Sequence, residues 1–167
     1  DSMKMTVGTF ELSFSDSAEA GLTLWTTGGT GGSWSTTTTS FHSGNHSFTE
    51  SAGGNYGNYA NVWMRSPSIN LSNATTAELT FWTRWDIEAD WDFGLVEIST
   101  NGGSSWTQLV GQYMTAASGI GVQTSGLHGY DGQQSAWVKE RINLNTYCGQ
   151  NIMIRFRLIT DSGVTED

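Results

Sequence analysis

The sequence predicts an all-β protein, built as a sandwich or a barrel of antiparallel strands. Apolar side chains recur at every second position in several segments, which is typical of strands with one buried face. The breaks between these segments are rich in Gly, Asn, Asp and Ser, the usual turn residues. No segment shows the period of an amphipathic helix. We therefore expect about ten short strands in a single domain over 1–167.

The clearest strands are predicted over 77–85, 137–144 and 152–158. In the first of these, Leu79 and Phe81 share one face, and polar residues occupy most of the other. The same alternation in the other two segments predicts half-buried strands that line a common core.

Two shorter strands, 95–100 and 105–110, are joined by an Asn-Gly-Gly turn at 101–103. Asn and Gly tolerate the positive φ that tight hairpins require. The stretch 99–106 also matches the Asp-box spacing Ser-x-Asp-x-Gly-x-x-Trp, with Asn101 in place of Asp. We expect a folded hairpin with a structural role.

Weaker strand patterns occupy the first half of the chain. They cover 9–14, 22–26, 33–38, 46–50 and 61–65. The glycine-rich segments 28–32 and 53–58 are predicted to be loops, and 115–129 is too long for a hairpin turn and is predicted to be a surface excursion.

Composition and charge exclude several classes of partner. The chain carries 7 basic and 16 acidic residues, a net charge of −9, which argues against binding to nucleic acid or to an anionic membrane. Its single cysteine, Cys148, excludes an intrachain disulfide and lies in a predicted turn, where a structural role is expected. No apolar run is long enough to predict a membrane span. A polar but weakly charged β-protein of this kind is typical of secreted bacterial proteins.

The most acidic segment, 85–92, has a carboxylate at every second position. These residues are Asp86, Glu88, Asp90 and Asp92. In a loop, such spacing lets several oxygen atoms converge on a hard cation, so the segment predicts a Ca²⁺ site. The alternative is a solvated acidic loop in which some carboxylates pair with Arg84, Arg155 or Arg157.

Aromatic residues in polar, glycine-rich loops are candidate ligand-binding residues. They are Tyr56, Tyr59, Trp91 and Tyr130. Exposed rings can stack on sugars or anchor protein partners, whereas rings that fold back would cover the ends of the sandwich. Trp63, Trp82 and Trp137 are further candidates for a row of rings on one sheet face.

Several stretches resemble elements of a single family. They are FHSGNHS at 41–47, GGNY at 53–56, RSPSINLS at 65–72, DFGLVEISTNGG at 92–103, WVKE at 137–140 and IMIRFRLITD at 152–161. Together they span most of the chain and resemble the MAM-like module of immune inhibitor A-type bacterial metallopeptidases. The module is also found in secreted zinc carboxypeptidases and is similar to cleaved-adhesin modules.

The resemblance implies a jelly-roll sandwich of two antiparallel sheets, frequent calcium binding, and a non-catalytic role beside a peptidase. Related modules continue past the element at 152–161 into a final strand with paired aspartates. That strand is therefore expected to be absent here or supplied by another chain. The acidic position near the N-terminus of the family corresponds to Asp16 or Glu19, and Glu19 joins the predicted metal ligands.

These observations predict a non-catalytic accessory domain of a secreted bacterial hydrolase, at the cell surface or outside the cell. The expected partners are the catalytic domain of the parent protein, which the resemblance suggests is a metallopeptidase, and an extracellular polysaccharide or protein. A carbohydrate-binding or adhesion module is the first alternative. An enzyme in its own right, with converging carboxylates in a cleft, is the second.

Overall fold

The computed structural model describes residues 11–166, which contain twelve β-strands and one 3-10 turn. The strands are β1 (Thr26–Thr30), β2 (Ser35–Thr37), β3 (Ser47–Thr49), β4 (Asn61–Arg65), β5 (Ile69–Asn70), β6 (Glu78–Ile87), β7 (Phe93–Ser99), β8 (Thr107–Gln108), β9 (Thr115–Ala116), β10 (His128–Gly129), β11 (Gly132–Asn143) and β12 (Asn151–Ile159). The helical turn, Asn145–Tyr147, has three residues, and no helix in the described range is long and apolar enough to cross a bilayer.

The larger sheet has six strands in the order β1-β4-β12-β7-β8, and β5 also pairs with β12. Every pairing in it is antiparallel. One face of this sheet is strongly apolar, because Val62, Val96, Ile98, Ile154 and Leu158 all point into the core.

The second sheet pairs β6 with β11 along most of their length, with a bulge between Gln134 and Val138. Its inner face packs on the larger sheet. Phe81 of β6 meets Phe156 of β12 edge to face, with ring centroids 5.0 Å apart. Two small ribbons, β2–β3 and β9–β10, complete the fold. The predicted all-β sandwich of antiparallel sheets is confirmed, and the arrangement is consistent with a jelly roll.

The hairpin predicted at 101–103 is confirmed between β7 and β8. The Gly103 N–H donates to the Ser99 hydroxyl oxygen over 2.9 Å, and the Trp106 indole N–H donates to the Gly103 carbonyl over 3.1 Å. The guanidinium of Arg155 covers the Trp106 ring at 4.3 Å from its centroid. Trp106 is therefore a structural residue of the hairpin.

The first half of the chain needs three corrections. The predicted loop at 28–32 lies largely in β1, and the predicted strand at 22–26 is mostly turn. A Cβ on Gly28 would lie 2.4 Å from the Trp63 ring, so a glycine in this strand is required by packing against β4. Of the strand predicted at 9–14, residues 9 and 10 lie outside the described residues and 11–14 are irregular. In the second half of the chain, the predicted surface excursion at 115–129 contains the short strands β9 and β10.

The strand register places the ends of three strands together. Phe93, the first residue of β7, pairs with Ile159, the last residue of β12. Residues just before β7 therefore lie beside residues just after β12. The loop that leaves β6 at Ile87 reaches the same end, because it connects directly to β7.

A candidate cation site at one end of the sandwich

Three carboxylates converge where these strand ends meet. Glu88 follows β6, Asp92 precedes β7 and Asp161 follows β12, and one oxygen atom from each lies within 4.8 Å of the others. We refer to Glu88, Asp92 and Asp161 as the acidic triad.

Each carboxylate of the acidic triad accepts a backbone hydrogen bond through one oxygen. The Asp161 N–H donates to Asp92 Oδ1 over 2.7 Å, and the Gly163 N–H donates to Asp161 Oδ1 over 2.6 Å. The Val164 N–H donates to Glu88 Oε2 over 3.3 Å. One oxygen of every carboxylate thus fixes the loop, which leaves the second oxygen available to a ligand.

Asp92 is the unusual member, because it is 0% exposed and its Oδ2 has no hydrogen-bond partner among residues 11–166. Burial raises the pKa of this carboxyl group, and the negative charges of Asp161 and Glu88 raise it further. The hydrogen bond from the Asp161 N–H and the neighbouring Tyr56 hydroxyl lower it, but the net result is a raised pKa. A buried carboxylate with a free oxygen is costly unless a cation or a proton compensates it.

The donor set fits a hard cation. Carboxylate oxygens are the ligands that Ca²⁺ prefers, and it takes six to eight oxygen atoms in flexible geometry. The backbone at Gly163 passes close to two of these carboxylates, since a Cβ added there would lie 3.1 Å from Asp161 Oδ1 and 3.1 Å from Glu88 Oε2. The acidic triad would supply part of such a shell, with the rest left to carbonyl groups or water.

The structure brings together only two of the five metal ligands predicted from sequence, Glu88 and Asp92. Asp86 Oδ2 accepts a hydrogen bond from the Gln133 side chain over 2.6 Å, and Asp90 is exposed at the tip of the loop with φ of 70°. Glu19 lies in a different contact, where it accepts from the Asn45 and His46 N–H groups. Those hydrogen bonds lower the pKa of Glu19.

Asp161 is the triad member that sequence reasoning missed as a ligand. It lies 69 residues from Asp92, and only the β7–β12 register brings the two together. The available signal was its place at the end of the motif-like stretch 152–161. The arginines expected as alternative partners make other contacts: Arg84 donates to the Ser40 hydroxyl, and Arg155 and Arg157 pair with Glu97.

The predicted ligand-binding aromatics divide into two groups. Tyr56 and Tyr130 are only 4% and 6% exposed, so the prediction that their rings meet a surface ligand is corrected. The Tyr56 hydroxyl accepts the Glu88 N–H over 2.9 Å and thereby supports the acidic triad. Burial raises the pKa of Tyr56. Tyr59 and Trp91 are exposed, and ligand binding by these two stays a prediction.

Comparison with known proteins agrees with the motif resemblance. A family profile described as "Immune inhibitor A-like, MAM domain" matches residues 30–167. Bacillopeptidase F of Bacillus subtilis (strain 168) is 28% identical over 148 residues, 86% of this chain. Immune inhibitor A of Bacillus thuringiensis subsp. alesti is 27% identical over 109 residues, 65% of this chain.

These matches cover only small parts of the relatives, 9% of the length of bacillopeptidase F and 14% of immune inhibitor A. Among solved structures, the K2 cleaved adhesin domain of Lys-gingipain aligns with a TM-score of 0.47 and 19% identity, over 92% of this chain and 95% of that chain. Since the family profile covers most of the sequence, the chain belongs to the immune inhibitor A-like MAM domain family.

Proposed function

We propose that this domain is a non-catalytic accessory module of an extracellular peptidase, and that a Ca²⁺ ion held by the acidic triad stabilises it. The family and two peptidase relatives support the accessory role. The observation that supports the calcium site is the buried Oδ2 of Asp92, which has no hydrogen-bond partner among the described residues.

The proposed ion joins the two sheets at one end of the sandwich. Glu88 continues from the second sheet, whereas Asp92 and Asp161 flank strands of the larger one. Calcium would offset the repulsion among three carboxylates and the cost of burying Asp92. Its role at this position is to hold loop ends together, which suits a module that must persist outside the cell.

Thermal unfolding with CaCl₂ or with a chelator tests the calcium site. At a free concentration of about 100 times Kd, a bound ion stabilises the fold by about 2.7 kcal/mol. For a domain of this size we expect Tm to rise by roughly 5 to 10 °C. Asp92→Asn should abolish the increase, whereas Glu78→Gln, an exposed change outside the acidic triad, should retain it.

Two results would contradict the proposed calcium site. The first is a Tm that does not respond to calcium. The second is a calcium response that survives Asp92→Asn but is lost in Asp86→Asn, which would place the ion in the upstream acidic loop.

The accessory role is tested separately, in the parent protein. We expect the purified domain to release no peptides from casein. Removing the domain from the parent should shorten the half-life of its activity at elevated temperature or weaken its action on polymeric protein, while turnover of a short peptide changes little. Peptide-bond cleavage by the isolated domain would overturn the accessory role.

A further inference from the structure

The outer face of the second sheet carries exposed aromatic rings. Trp82 of β6 points away from the core and is 44% exposed. The His42 ring stacks on Trp82 with centroids 3.7 Å apart and planes 12° apart, and Trp137 of β11 meets His42 edge-on at 6.3 Å. Trp63, which the sequence grouped with these two tryptophans, lies on the larger sheet instead.

The same face concentrates positive charge in an acidic chain. It carries Arg84, Lys139 and Arg141, three of the six basic residues in the described range. Lys139 lies directly opposite Trp82 in the register, and Arg84 follows Trp82 on the same side of β6. The two carboxylates of this side, Glu78 and Asp86, lie near opposite ends of β6, so its middle is cationic.

These cations are available to a ligand. Arg84 donates only to the neutral Ser40 hydroxyl over 3.1 Å, and Lys139 forms no ion pair with any residue in 11–166. Arg141 contacts Glu78 at 3.4 Å, but both side chains are about half exposed and such a pair contributes little. No residue that the structure describes therefore neutralises the charge of Arg84 and Lys139.

We propose that this aromatic–cationic face, defined by His42, Trp82, Arg84, Trp137 and Lys139, binds an acidic polysaccharide. Flat rings offer dispersion contacts to the faces of sugar rings, and the neighbouring cations pair with carboxylate or sulfate groups on the sugars. The paired strands β6 and β11 hold the two tryptophans and the two cations on one surface, and His42 reaches it from the loop between β2 and β3.

The composition of the face favours a polysaccharide over a protein partner. The centres of protein interfaces are apolar and depleted in lysine, whereas the exposed middle of this face alternates rings and cations and presents no aliphatic side chain. The chain is strongly acidic overall, and Arg155 and Arg157 of the larger sheet pair with Glu97, so the unpaired cations of this face favour it as the site for a polyanion. The proposal is independent of the calcium site, since Trp82 lies mid-strand and the acidic triad lies at strand ends.

The test is titration calorimetry with polygalacturonate and chondroitin sulfate in low-salt, calcium-free buffer, since free calcium cross-links polygalacturonate. Trp82→Ala and Lys139→Gln should each weaken binding about tenfold or more, a loss of about 1.4 kcal/mol. Two control variants alter exposed residues away from this face: Leu24→Ala removes apolar surface, and Thr107→Glu lowers the net charge by one, as Lys139→Gln does. Both should bind like the unaltered domain, and all variants should keep its Tm.

Two further ligands separate the alternatives. A neutral glucan should bind at least tenfold more weakly than polygalacturonate, and poly-glutamate should show no dependence on Trp82. Failure to bind either acidic polysaccharide would overturn the proposal. Binding of the neutral glucan as tight as that of polygalacturonate would also overturn it. So would binding of poly-glutamate that weakens on Trp82→Ala as polygalacturonate binding does, because that result would indicate an acidic protein partner.

Discussion

The carboxylate of Glu140 provides a sharp test of how the second sheet is held to its loops. Glu140 lies on the inner face of β11 and is 0% exposed. Its Oε1 accepts from the Gln112 and Arg141 N–H groups over 2.7 and 2.8 Å. Its Oε2 accepts from the Tyr113 N–H over 3.1 Å and from the Tyr130 hydroxyl over 2.9 Å. We predict that Glu140→Gln strongly destabilises the domain.

The magnitude follows from these four hydrogen bonds. An amide keeps one carbonyl oxygen, so one pair of donors stays satisfied while the NH₂ group faces the other pair. Each bond to a buried charged group contributes about 1.5 to 3 kcal/mol. Losing two costs roughly 3 to 6 kcal/mol, and the cheaper burial of a neutral group offsets part of this. We expect a loss of about 3 kcal/mol and a decrease in Tm of roughly 6 to 12 °C.

Chemical denaturation and calorimetry measure the loss, and hydrogen exchange locates it. The amides of Gln112 and Tyr113 should lose protection in Glu140→Gln before the central strands do. Tyr130→Phe removes one donor of four and should cost about 1.5 kcal/mol. The same Glu-to-Gln change at exposed Glu78 should cost under about 1 kcal/mol. A decrease in Tm below about 2 °C for Glu140→Gln would refute the reasoning.

Three further outcomes follow from the structure. In chelator, lowering the pH from neutral should stabilise the domain through the raised pKa of Asp92, because the folded state binds that proton more readily; denaturation across pH should show this gain reduced in Asp92→Asn. Gly103→Ala should lower Tm measurably, since φ is 88° and the added Cβ would lie 2.8 Å from Arg65 Nη1; an unchanged Tm would show that the hairpin relaxes freely. Trp106→Ala should cost about 2 to 4 kcal/mol in denaturant unfolding, because the ring loses its packing and its contact with Arg155; a loss under about 0.5 kcal/mol would assign the ring no structural role.

Much of the fold was accessible from local pattern. The pattern predicts a strand over 61–65, the bounds that β4 has in the structure, and the long alternating segments form β6, β11 and β12 with their faces as expected. Alternation succeeds here because a strand with one buried face must repeat every two residues. It failed for β1, where the glycines that suggest a loop are needed so that the Trp63 ring can pack on the backbone.

The candidate site was only partly accessible. The acidic spacing of 85–92 identified Glu88 and Asp92. Carboxylates at every second position share one side only where the chain is extended, whereas this chain turns at Asp90. The fold therefore separates Asp86 from the pair and brings in Asp161 from β12. Ligand sets of this kind depend on which loops meet, which no local spacing encodes.

By itself, the sequence determined the all-β class, the faces of the long strands, the acidic character and the family, because each of these depends on neighbouring residues or on whole motifs. Only the tertiary structure decided that Tyr56 and Tyr130 are buried, that Trp63 and Trp82 belong to different sheets, and that three carboxylates converge. The physical reason is that burial and convergence are set by strand register and sheet packing, which join residues far apart in the chain.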